Sequence, residues 1–490
     1  MTYVVAIDAG TTGVRSRAVF DDGREAVSSY LEFTQHFPAP GLVEHDADEI
    51  WSATKKTLAD VIDKVGSLPA AIGITNQRET VVAWDRATGT TLGRAIVWQD
   101  RRTSQRCAEL APHLDLIRAT TGLVLDPYFS GTKIEWMLAN GLPRTQTLAF
   151  GTIDTWLLWN LTGGAVFATD ESNASRTLLW DIRRHEWSTE ICRILDIPVA
   201  SLPTVRDSSG RFGTTASAGL PSGIPISGIA GDQQAALFGQ ACFAEGDAKN
   251  TYGTGSFVLM NAGTTCPPPT EGMLTTVAWR LAGVTTYAVE GSIFVTGAAV
   301  QWLRDGLGII RESGDIEELA GRVTDSGGVV FVPALTGLGS PWWDPDARGA
   351  VFGITRGTTA AHLALATLEA TAFQTRDVVD AMVAATGIPI RSLRVDGGAA
   401  GNNRLMQIQA DQLGIDVERP VDRETTAVGA ALLAGLAEGV WSSLDAVAAT
   451  RTIDRRFVPN TELKIFADIA HAQWRAGLAR VTRKVSLPRQ

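Results

Sequence analysis

One acidic residue stands at a position where two kinds of chemistry are possible. In GIAGDQQAALFGQ (residues 228–240) an apolar run reaches a glycine, Asp232 follows, and an Ala/Leu/Phe-rich stretch with helical spacing begins at once. The pattern predicts a buried strand, a tight joint and a helix that starts near Asp232. Its carboxylate could stabilise the first turn of that helix, or it could accept a proton from a reacting hydroxyl group. The segment alone leaves both interpretations open.

A second acidic residue precedes a loop of glycine and threonine. In VVAIDAGTTG (residues 4–13) the predicted strand ends at Asp8, Gly10 permits a tight turn, and Thr11 and Thr12 offer hydroxyls and backbone N–H groups. Successive N–H groups of this kind bind phosphate, and a neighbouring carboxylate suits the magnesium ion that accompanies a phosphate. A plain hairpin turn explains the same residues.

Two further loops offer similar chemistry. NTYGTGSF (residues 250–257) places Thr254 between two glycines, and VDGGAAGNN (residues 395–403) places Asn402 at the start of an amphipathic helix, where the helix N-terminus favours phosphate contacts. An ordinary turn explains the first loop, and a glycine turn with an asparagine cap explains the second. Three such loops in one chain favour nucleotide binding more than any one of them does.

Two adjacent opposite charges suggest a polar pocket. In GITNQRETVVAWD, Arg78 and Glu79 follow a predicted strand. They form either a solvated turn or a pocket in which Arg78 donates hydrogen bonds to a polyol and Glu79 accepts them. Trp98 in AIVWQDRR and Tyr128 in DPYFSGTK are core aromatic residues by default.

The elements that must position these residues alternate along the chain. Apolar runs of strand length (YVVAID, SRAVFD, AAIGIT, TVVAWD, RAIVWQ) recur beside a long helical pattern at residues 362–386, which predicts an α/β fold. Segments 204–225 and 264–272 are rich in Gly, Pro, Ser and Thr and are predicted loops. A loose similarity among VVAIDAGTTG, ISGIAGDQQA and LRVDGGAAGNN suggests two related halves.

Composition excludes several classes of protein. The 490 residues are 45% apolar and 20% charged, with a net charge of -10, which is typical of a globular protein of several domains and argues against nucleic acid or an anionic membrane as a partner. No segment predicts a signal peptide or a membrane span. Four widely spaced cysteines suggest neither a zinc site nor a disulfide framework. We therefore expect a soluble cytoplasmic protein that acts on a small molecule.

Taken together, stretches spread over residues 4–440 resemble the FGGY carbohydrate kinases. YFSGTKIEWM and GAVFGITRGTT are similar to the two general signatures of that family, while NQRET together with GDQQAALFGQ is similar to its glycerol-using branch. The other matching stretches are AIDAGTTGVRSRAVF, GLVEHDADEIW, AIVWQDRRT, GTIDTWLLWNLTGG, NASRTLLWDI, KNTYGTGSFVLMNAG, EGSIFVTGAAVQWLRDGLGII, GLGSPWWDPDARG and LRVDGGAAGNNRLMQIQAD.

The resemblance implies a fold and an activity. The fold would be two actin-like (ribonuclease H-like) α/β domains, each with a central mixed sheet, that close over ATP in the cleft between them. We place the domains at residues 1–245 and 246–490. The activity would be transfer of the γ-phosphoryl group of ATP to glycerol, which yields sn-glycerol 3-phosphate for glycerol catabolism. We expect a homo-oligomer, either a dimer or a tetramer.

The resemblance also implies site residues at matching positions. Asp232 would be the general base, and Asp8 would position Mg²⁺. The residues implied to contact glycerol are Arg78, Glu79, Trp98, Tyr128, Asp232, Gln233 and Phe257. The residues implied to contact ATP are Thr11, Thr12, Gly13, Arg15, Thr254, Gly297, Gln301, Gly398 and Asn402.

The sequence departs from the family pattern at two places. Ala9 and Gly13 replace the usual Gln and Ser of the first loop, so a hydroxyl contact at position 13 is lost while the backbone N–H donors remain. Gly223 stands where some members carry the arginine of a basic regulatory loop, so we do not expect feedback by a sugar bisphosphate through that loop.

Two other functions are consistent with parts of this pattern. A sister kinase of the family could act on a pentulose or on gluconate, although Arg78, Glu79 and Trp98 favour glycerol. A non-catalytic ATP-binding sensor would be favoured if Asp8 or Asp232 were missing, but both are present.

Overall fold

The computed structural model describes residues 2–482, and its largest feature is a 13-stranded sheet. The strands are β1 Tyr3–Ala9, β2 Gly13–Phe20, β3 Val27–Glu32, β4 Gln35–His36, β5 Glu44–His45, β6 Ala71–Asn76, β7 Val81–Asp85, β8 Ala95–Ile96, β9 Leu148–Thr152, β10 Ala168–Asp170, β11 Trp180–Asp181, β12 Glu186–Trp187, β13 Thr204–Arg206, β14 Ser209–Thr214, β15 Pro225–Gly231, β16 Ala248–Tyr252, β17 Ser256–Asn261, β18 Leu274–Leu281, β19 Val284–Ile293, β20 Val330–Val332, β21 Ala350–Phe352, β22 Ser392–Asp396, β23 Asp416–Pro420 and β24 Ile453–Phe457.

Helices cover both faces of this sheet. The α-helices are α1 Ala47–Val65, α2 Ser104–Glu109, α3 Leu114–Thr121, α4 Ser130–Ala139, α5 Ile153–Leu161, α6 Glu171–Ala174, α7 Thr189–Ile194, α8 Asp232–Gly239, α9 Gly297–Gln301, α10 Asp315–Ala320, α11 Ala360–Thr386, α12 Asn403–Leu413, α13 Thr425–Ala437, α14 Leu444–Ala448 and α15 Lys464–Val481. Short 3₁₀ turns lie at Ala111–His113, Val199–Ser201, Gly398–Gly401 and Thr461–Leu463, and a π-helical turn at Trp302–Gly306 continues α9. None of the helices within residues 2–482 is long and apolar enough to cross a membrane.

Each half of the large sheet has the same strand order. The first half runs β3-β2-β1-β6-β15 and the second runs β19-β17-β16-β22-β23. In both, the first two pairings are antiparallel and the last two are parallel. A single residue pair between β14 and β18, Ser209 with Leu281, joins the two halves. This topology confirms the predicted α/β class with a mixed sheet in each half.

The structure contains an internal repeat, but it is a repeat of strand order and does not align the three similar motifs with one another. Strands β1, β15 and β22, which carry the three similar motifs, take the third, fifth and fourth positions of the repeated order. The true counterpart of the loop between β1 and β2 is therefore the loop between β16 and β17, which contains Thr254. The prediction of a continuous loop at residues 204–225 is wrong, because β13 and β14 form within it.

Two helices cross where the halves meet. Helix α8 follows β15, whereas α13 comes from the C-terminal part of the chain and packs on β1, β6 and β15. The two helices approach so closely that a Cβ at Gly429 would lie 1.8 Å from the carbonyl oxygen of Ala235. One cut of the chain therefore does not separate the packing of the two halves. The boundary at residue 245 stays a prediction, and residues 483–490 of the second range lie outside the described residues.

Candidate active site

Three parallel strands end together at one edge of the first half-sheet. Ala9 of β1, Asn76 of β6 and Gly231 of β15 are neighbours in register. Asp8, Arg78 and Asp232, which come from separate motifs of the sequence, are thereby brought to the same edge. A cluster at the carboxyl ends of parallel strands is the usual place for a ligand in an open α/β sheet.

Asp232 is the first residue of α8, and the extended Gly231 before it is the N-cap. Its Oδ1 atom accepts a hydrogen bond from the backbone N–H of Gln233 at 2.7 Å and lies 3.1 Å from Nε of Arg78. Its Oδ2 atom accepts no hydrogen bond within residues 2–482, and the side chain is 31% exposed. The carboxylate thus has one atom held by the protein and one open to a ligand.

Arg78 lies in a buried cluster of four charges that bridges the two halves. Its Nη1 and Nη2 atoms donate to Glu290 of β19 at 2.5 Å and 3.1 Å. Arg176 donates from Nε to Glu79 at 2.7 Å and from Nη2 to Glu290 at 3.0 Å. Burial would raise the pKa of Glu290, but Arg176 and Arg78 outweigh that cost and lower it to about 2. Glu290 is therefore ionised at neutral pH.

Both Nη groups of Arg78 donate to protein acceptors, whereas Nε contacts Asp232 as an ion pair. Besides Asp232 and Glu290, Nη1 donates to Gln234 at 3.2 Å and Nη2 donates to the hydroxyl of Tyr128 at 3.3 Å. A hydrogen bond from Nη1 or Nη2 of Arg78 to a substrate would therefore replace one of these contacts. The long contact to Tyr128 is the weakest of them.

Glu79 is held in a strained conformation. Its φ of 62° lies in the left-handed region, which is unfavourable for a residue with a Cβ. The hydroxyl of Ser130 donates to its backbone carbonyl at 2.8 Å and holds it in place. Oε1 accepts from Arg176, whereas Oε2 accepts no hydrogen bond in the described chain. Burial raises the pKa of this carboxyl group, and Arg78 and Arg176 oppose that effect.

Aromatic rings and an amide complete the pocket. The rings of Trp98 and Tyr128 meet edge to face with centroids 5.6 Å apart, and the guanidinium of Arg78 lies 5.7 Å from the ring centroid of Phe257. Gln233 accepts at Oε1 from Nζ of the buried Lys249 at 2.5 Å. All seven residues predicted to contact glycerol are thus linked by direct contacts to one another or to this cluster.

The loop after β1 has free backbone donors. Gly10 N–H donates to Gly13 at 3.0 Å, whereas the N–H groups of Thr11 and Thr12 meet no acceptor within residues 2–482. The indole Nε1 of Trp98 donates to the hydroxyl of Thr11 at 3.0 Å, which joins this loop to the pocket around Arg78. The geometry suits an anion placed against the loop.

Gly13 lies where a larger residue would collide with the neighbouring strand β3. A Cβ at this position would lie 2.6 Å from the hydroxyl oxygen of Tyr30, which is closer than real Cβ atoms come. The side chain of Tyr30 on the neighbouring strand β3 therefore lies in the space that a serine at position 13 would need. The ring of Tyr30 also lies 5.6 Å from the guanidinium of Arg15, which pairs with Glu424.

Asp8 lies near the end of β1, partly buried. Burial raises its pKa to about 7, and the negative charge of Asp232 adds to the effect, while Arg15 opposes it. A carboxyl group in this state is ionised when a cation approaches.

The second half contributes the remaining predicted nucleotide residues. Thr254 lies in the loop between β16 and β17, and the N–H of Gly297, the first residue of α9, donates to Gly253 of that loop at 3.1 Å. Asn402 caps α12 by accepting from the N–H of Leu405 at 2.8 Å. Gly398 and Asn402 lie beyond the end of β22, which is parallel to β16, and Gln301 ends α9. Thr254 and Gly297 are therefore adjacent, whereas no hydrogen bond in the described chain ties Gln301, Gly398 or Asn402 to them.

Sequence reasoning missed several residues of the cluster. Glu290, Arg176 and Lys249 are all buried, and each lies within a stretch that matched the family pattern. A signal was available: Glu290 interrupts the apolar run of YAVEGSIF, and a charge in such a run must find a partner when it is buried. The sequence does not say which partner, because Glu290 and Arg78 are separated by 212 residues.

Comparison with known proteins agrees with this arrangement. The N-terminal domain of the FGGY family of carbohydrate kinases matches residues 3–239, and the C-terminal domain of that family matches residues 248–438. The curated glycerol kinase of Aromatoleum aromaticum is 53% identical over 490 residues, which cover 98% of this chain and 99% of that protein. The glycerol kinase of Dechloromonas aromatica is 54% identical over 468 residues, which cover 94% of this chain and 93% of that protein.

Solved structures show the same similarity. The crystal structure of Plasmodium falciparum glycerol kinase with ADP superposes with a TM-score of 0.93 at 35% identity, and the match covers 99% of each chain. A gluconate kinase from Lactobacillus acidophilus has a TM-score of 0.89 at 19% identity over 98% of each chain, which is a similarity of fold.

Proposed function

The chain belongs to the FGGY family of carbohydrate kinases, and on that premise we propose that it transfers the γ-phosphoryl group of ATP to glycerol, forming sn-glycerol 3-phosphate. The choice of glycerol as the phosphoryl acceptor rests on three hydrogen-bonding atoms around Arg78 that make no hydrogen bond within the described chain. These atoms are Oε2 of Glu79, Oδ2 of Asp232 and Nε2 of Gln233. Two acceptors and one donor at a pocket walled by aromatic rings suit a short polyol.

Asp232 is the proposed general base. Phosphoryl transfer asks the protein mainly for positioning and for neutralisation of charge, together with a group that accepts the proton of the attacking hydroxyl. Oδ2 of Asp232 is free to accept that proton, and the contact of Oδ1 with Arg78 holds the carboxylate in one orientation. Oε2 of Glu79 and the amide of Gln233 would bind the other hydroxyls, and Trp98 and Phe257 would pack against the carbon chain.

The nucleotide would lie between the loops of the two halves. The free N–H groups of Thr11 and Thr12 support phosphate binding there, together with the side chain of Arg15. Thr254 and Gly297 of the second half would face the same phosphates. Gln301, Gly398 and Asn402 are proposed to line the rest of the ATP site.

Asp8 is the residue proposed to hold Mg²⁺. Residues 2–482 contain no group of three or more metal-binding side chains that could hold an ion by themselves. That fits Mg²⁺, which is usually bound through one or two carboxylates with phosphate and water as the remaining ligands. When bound, the ion supplies neutralisation of phosphate charge. Asp8, whose pKa is raised to about 7, would become fully ionised beside it.

Three broader predictions accompany this function. The domain boundary is proposed near residue 245, between α8 and β16. A cytoplasmic location is supported by the four cysteines, which are all free thiols. A homo-oligomer, either a dimer or a tetramer, stays a prediction that light scattering on the purified protein tests.

Glycerol-dependent release of ADP tests the function. The purified protein is given ATP and Mg²⁺ with glycerol, xylulose or gluconate, and ADP formation is followed in a coupled assay. We expect turnover with glycerol at least tenfold above that with either sugar substrate. Preference for xylulose or gluconate would assign a sister activity of the family, and ATP binding without turnover on any acceptor would indicate a sensor.

A further inference from the structure

Two carbonyl groups of the loop between β1 and β2 are held by glutamines from outside the loop. Gln77, which follows β6, donates from Nε2 to the carbonyl of Gly10 at 3.0 Å. Gln35, which begins β4, donates from Nε2 to the carbonyl of Thr11 at 2.8 Å. The loop is therefore tied to two separate elements of the first half.

One imidazole ring joins the two glutamines. Nε2 of His45 lies 2.8 Å from Oε1 of Gln35, and Nδ1 lies 3.2 Å from Nε2 of Gln77. The remaining amide oxygen, Oε1 of Gln77, accepts from the hydroxyl of Thr80 at 3.0 Å. Each hydrogen-bonding atom of the two amide groups thus has a partner.

The chemistry of these partners determines the state of the ring. A carbonyl oxygen only accepts, so each glutamine must turn its NH₂ group toward the loop. The oxygen of Gln35 then accepts from His45, which places the imidazole proton on Nε2, and Nδ1 is left to accept from Gln77. The ring must be neutral for both bonds to form. Burial and the neighbouring His36 lower the pKa of His45 to about 4, which agrees with this requirement.

The orientation of the carbonyls determines that of the free N–H groups. In a planar trans peptide the C=O of one residue and the N–H of the next point in opposite directions. Holding the carbonyls of Gly10 and Thr11 toward the glutamines therefore turns the N–H groups of Thr11 and Thr12 to the opposite side. Those are the two N–H groups of the loop that meet no acceptor within residues 2–482.

We infer that Gln35, His45 and Gln77 are positioning residues for the nucleotide, which aim the Thr11 and Thr12 N–H groups at its phosphates by holding the loop carbonyls from behind. The inference rests on the proposed function, since it takes the ligand of this loop to be ATP. None of the three residues needs to touch the nucleotide, and none belongs to the glycerol pocket.

The test compares the affinity for ATP of the parent protein and of the variants Gln35→Met and Gln77→Met by calorimetry without glycerol. Methionine keeps the length of the side chain and removes its hydrogen bonds. Gln35 is only partly buried, so Gln35→Met is expected to fold even if the fully buried Gln77 does not tolerate the change. Gln105→Met is the control, because Gln105 bonds Glu109 on the exposed face of α2.

We expect the Kd for ATP to rise about two- to tenfold in Gln35→Met and in Gln77→Met, with KM for glycerol within twofold of the parent and no change in the control. An ATP affinity within twofold of the parent in Gln35→Met would overturn the inference. Equal weakening of ATP and glycerol would also overturn it, because that result indicates general destabilisation. If the parent shows no glycerol turnover but Gln35→Met still weakens ATP binding, the acceptor assignment fails and the inference stands.

Discussion

Glu290 offers the most direct test of the buried charge cluster. The substitution Glu290→Gln keeps the size of the side chain and removes its charge, leaving Arg78 and Arg176 with one carboxylate fewer between them. A pKa lowered from 4.5 to about 2 corresponds to a stabilisation of the folded state by about 3 kcal/mol at neutral pH. Removal of one partner from a buried ion pair typically costs about 3–5 kcal/mol, which is the same size.

The pH dependence of the effect has a definite sign. Because the pKa of Glu290 is lower in the folded than in the unfolded protein, its stabilising contribution is fully present above about pH 4.5 and is lost as pH falls toward 2. The difference between parent and variant should therefore shrink from about 3 kcal/mol at pH 7 to about 1 kcal/mol at pH 3. The variant resembles the parent with Glu290 protonated, so the two converge in acid.

The assay is equilibrium unfolding in urea, followed by tryptophan fluorescence at both pH values. The matched control is Glu318→Gln, in which the same change is made to an exposed pair with Arg322. Its effect should stay below about 0.5 kcal/mol at either pH. A difference of less than about 1 kcal/mol between parent and Glu290→Gln at pH 7, or a difference that does not shrink at pH 3, would refute the electrostatic account of the cluster.

Three further substitutions probe the site. Asp232→Asn should lower kcat by about 10² to 10⁴ while ATP binds normally, which steady-state kinetics and calorimetry measure; near-normal turnover would exclude it as the base. Gly13→Ser should lower the melting temperature, because the new Cβ would lie 2.6 Å from the Tyr30 hydroxyl and 2.7 Å from the backbone carbonyl oxygen of Leu31; adding Tyr30→Ala removes only the first clash and should restore the melting temperature in part, and full stability of the single variant would contradict the packing argument. Trp98→Phe removes the hydrogen bond to Thr11 but keeps an aromatic ring in the pocket, so KM for ATP should rise about two- to tenfold. An unchanged KM would show that this bond does not couple the glycerol pocket to the phosphate-binding loop.

Much of the local structure was predictable because burial repeats with the period of each element. The apolar runs at β1, β2, β6 and β7 and the helical pattern of α11 appear where they were predicted. The prediction of a loop at residues 204–225 failed, because β14 contains glycine and serine and few apolar residues, so its composition resembles that of a loop. Strand formation there depends on pairing with β15, which local composition does not report.

The pairing of the site residues could not be predicted in the same way. Arg78 was recognised as a candidate, but its partners Glu290 and Arg176 are distant in the chain. The direction of each side chain also depends on what packs around it. Arg78 was expected to donate to a substrate hydroxyl, whereas its Nη1 and Nη2 atoms both donate to the protein, so its role as a direct ligand stays a prediction.

Asp232 illustrates what each level determines. The sequence by itself determined that a strand ends and a helix begins beside this carboxylate, because apolar periodicity and a glycine joint are local properties. Only the tertiary structure decided that Gly231 is the cap, that Oδ1 faces Arg78 and that Oδ2 has no partner in the described chain. Those facts follow from strands β1, β6 and β15 ending side by side, and such an arrangement is a property of the folded sheet that no single segment contains.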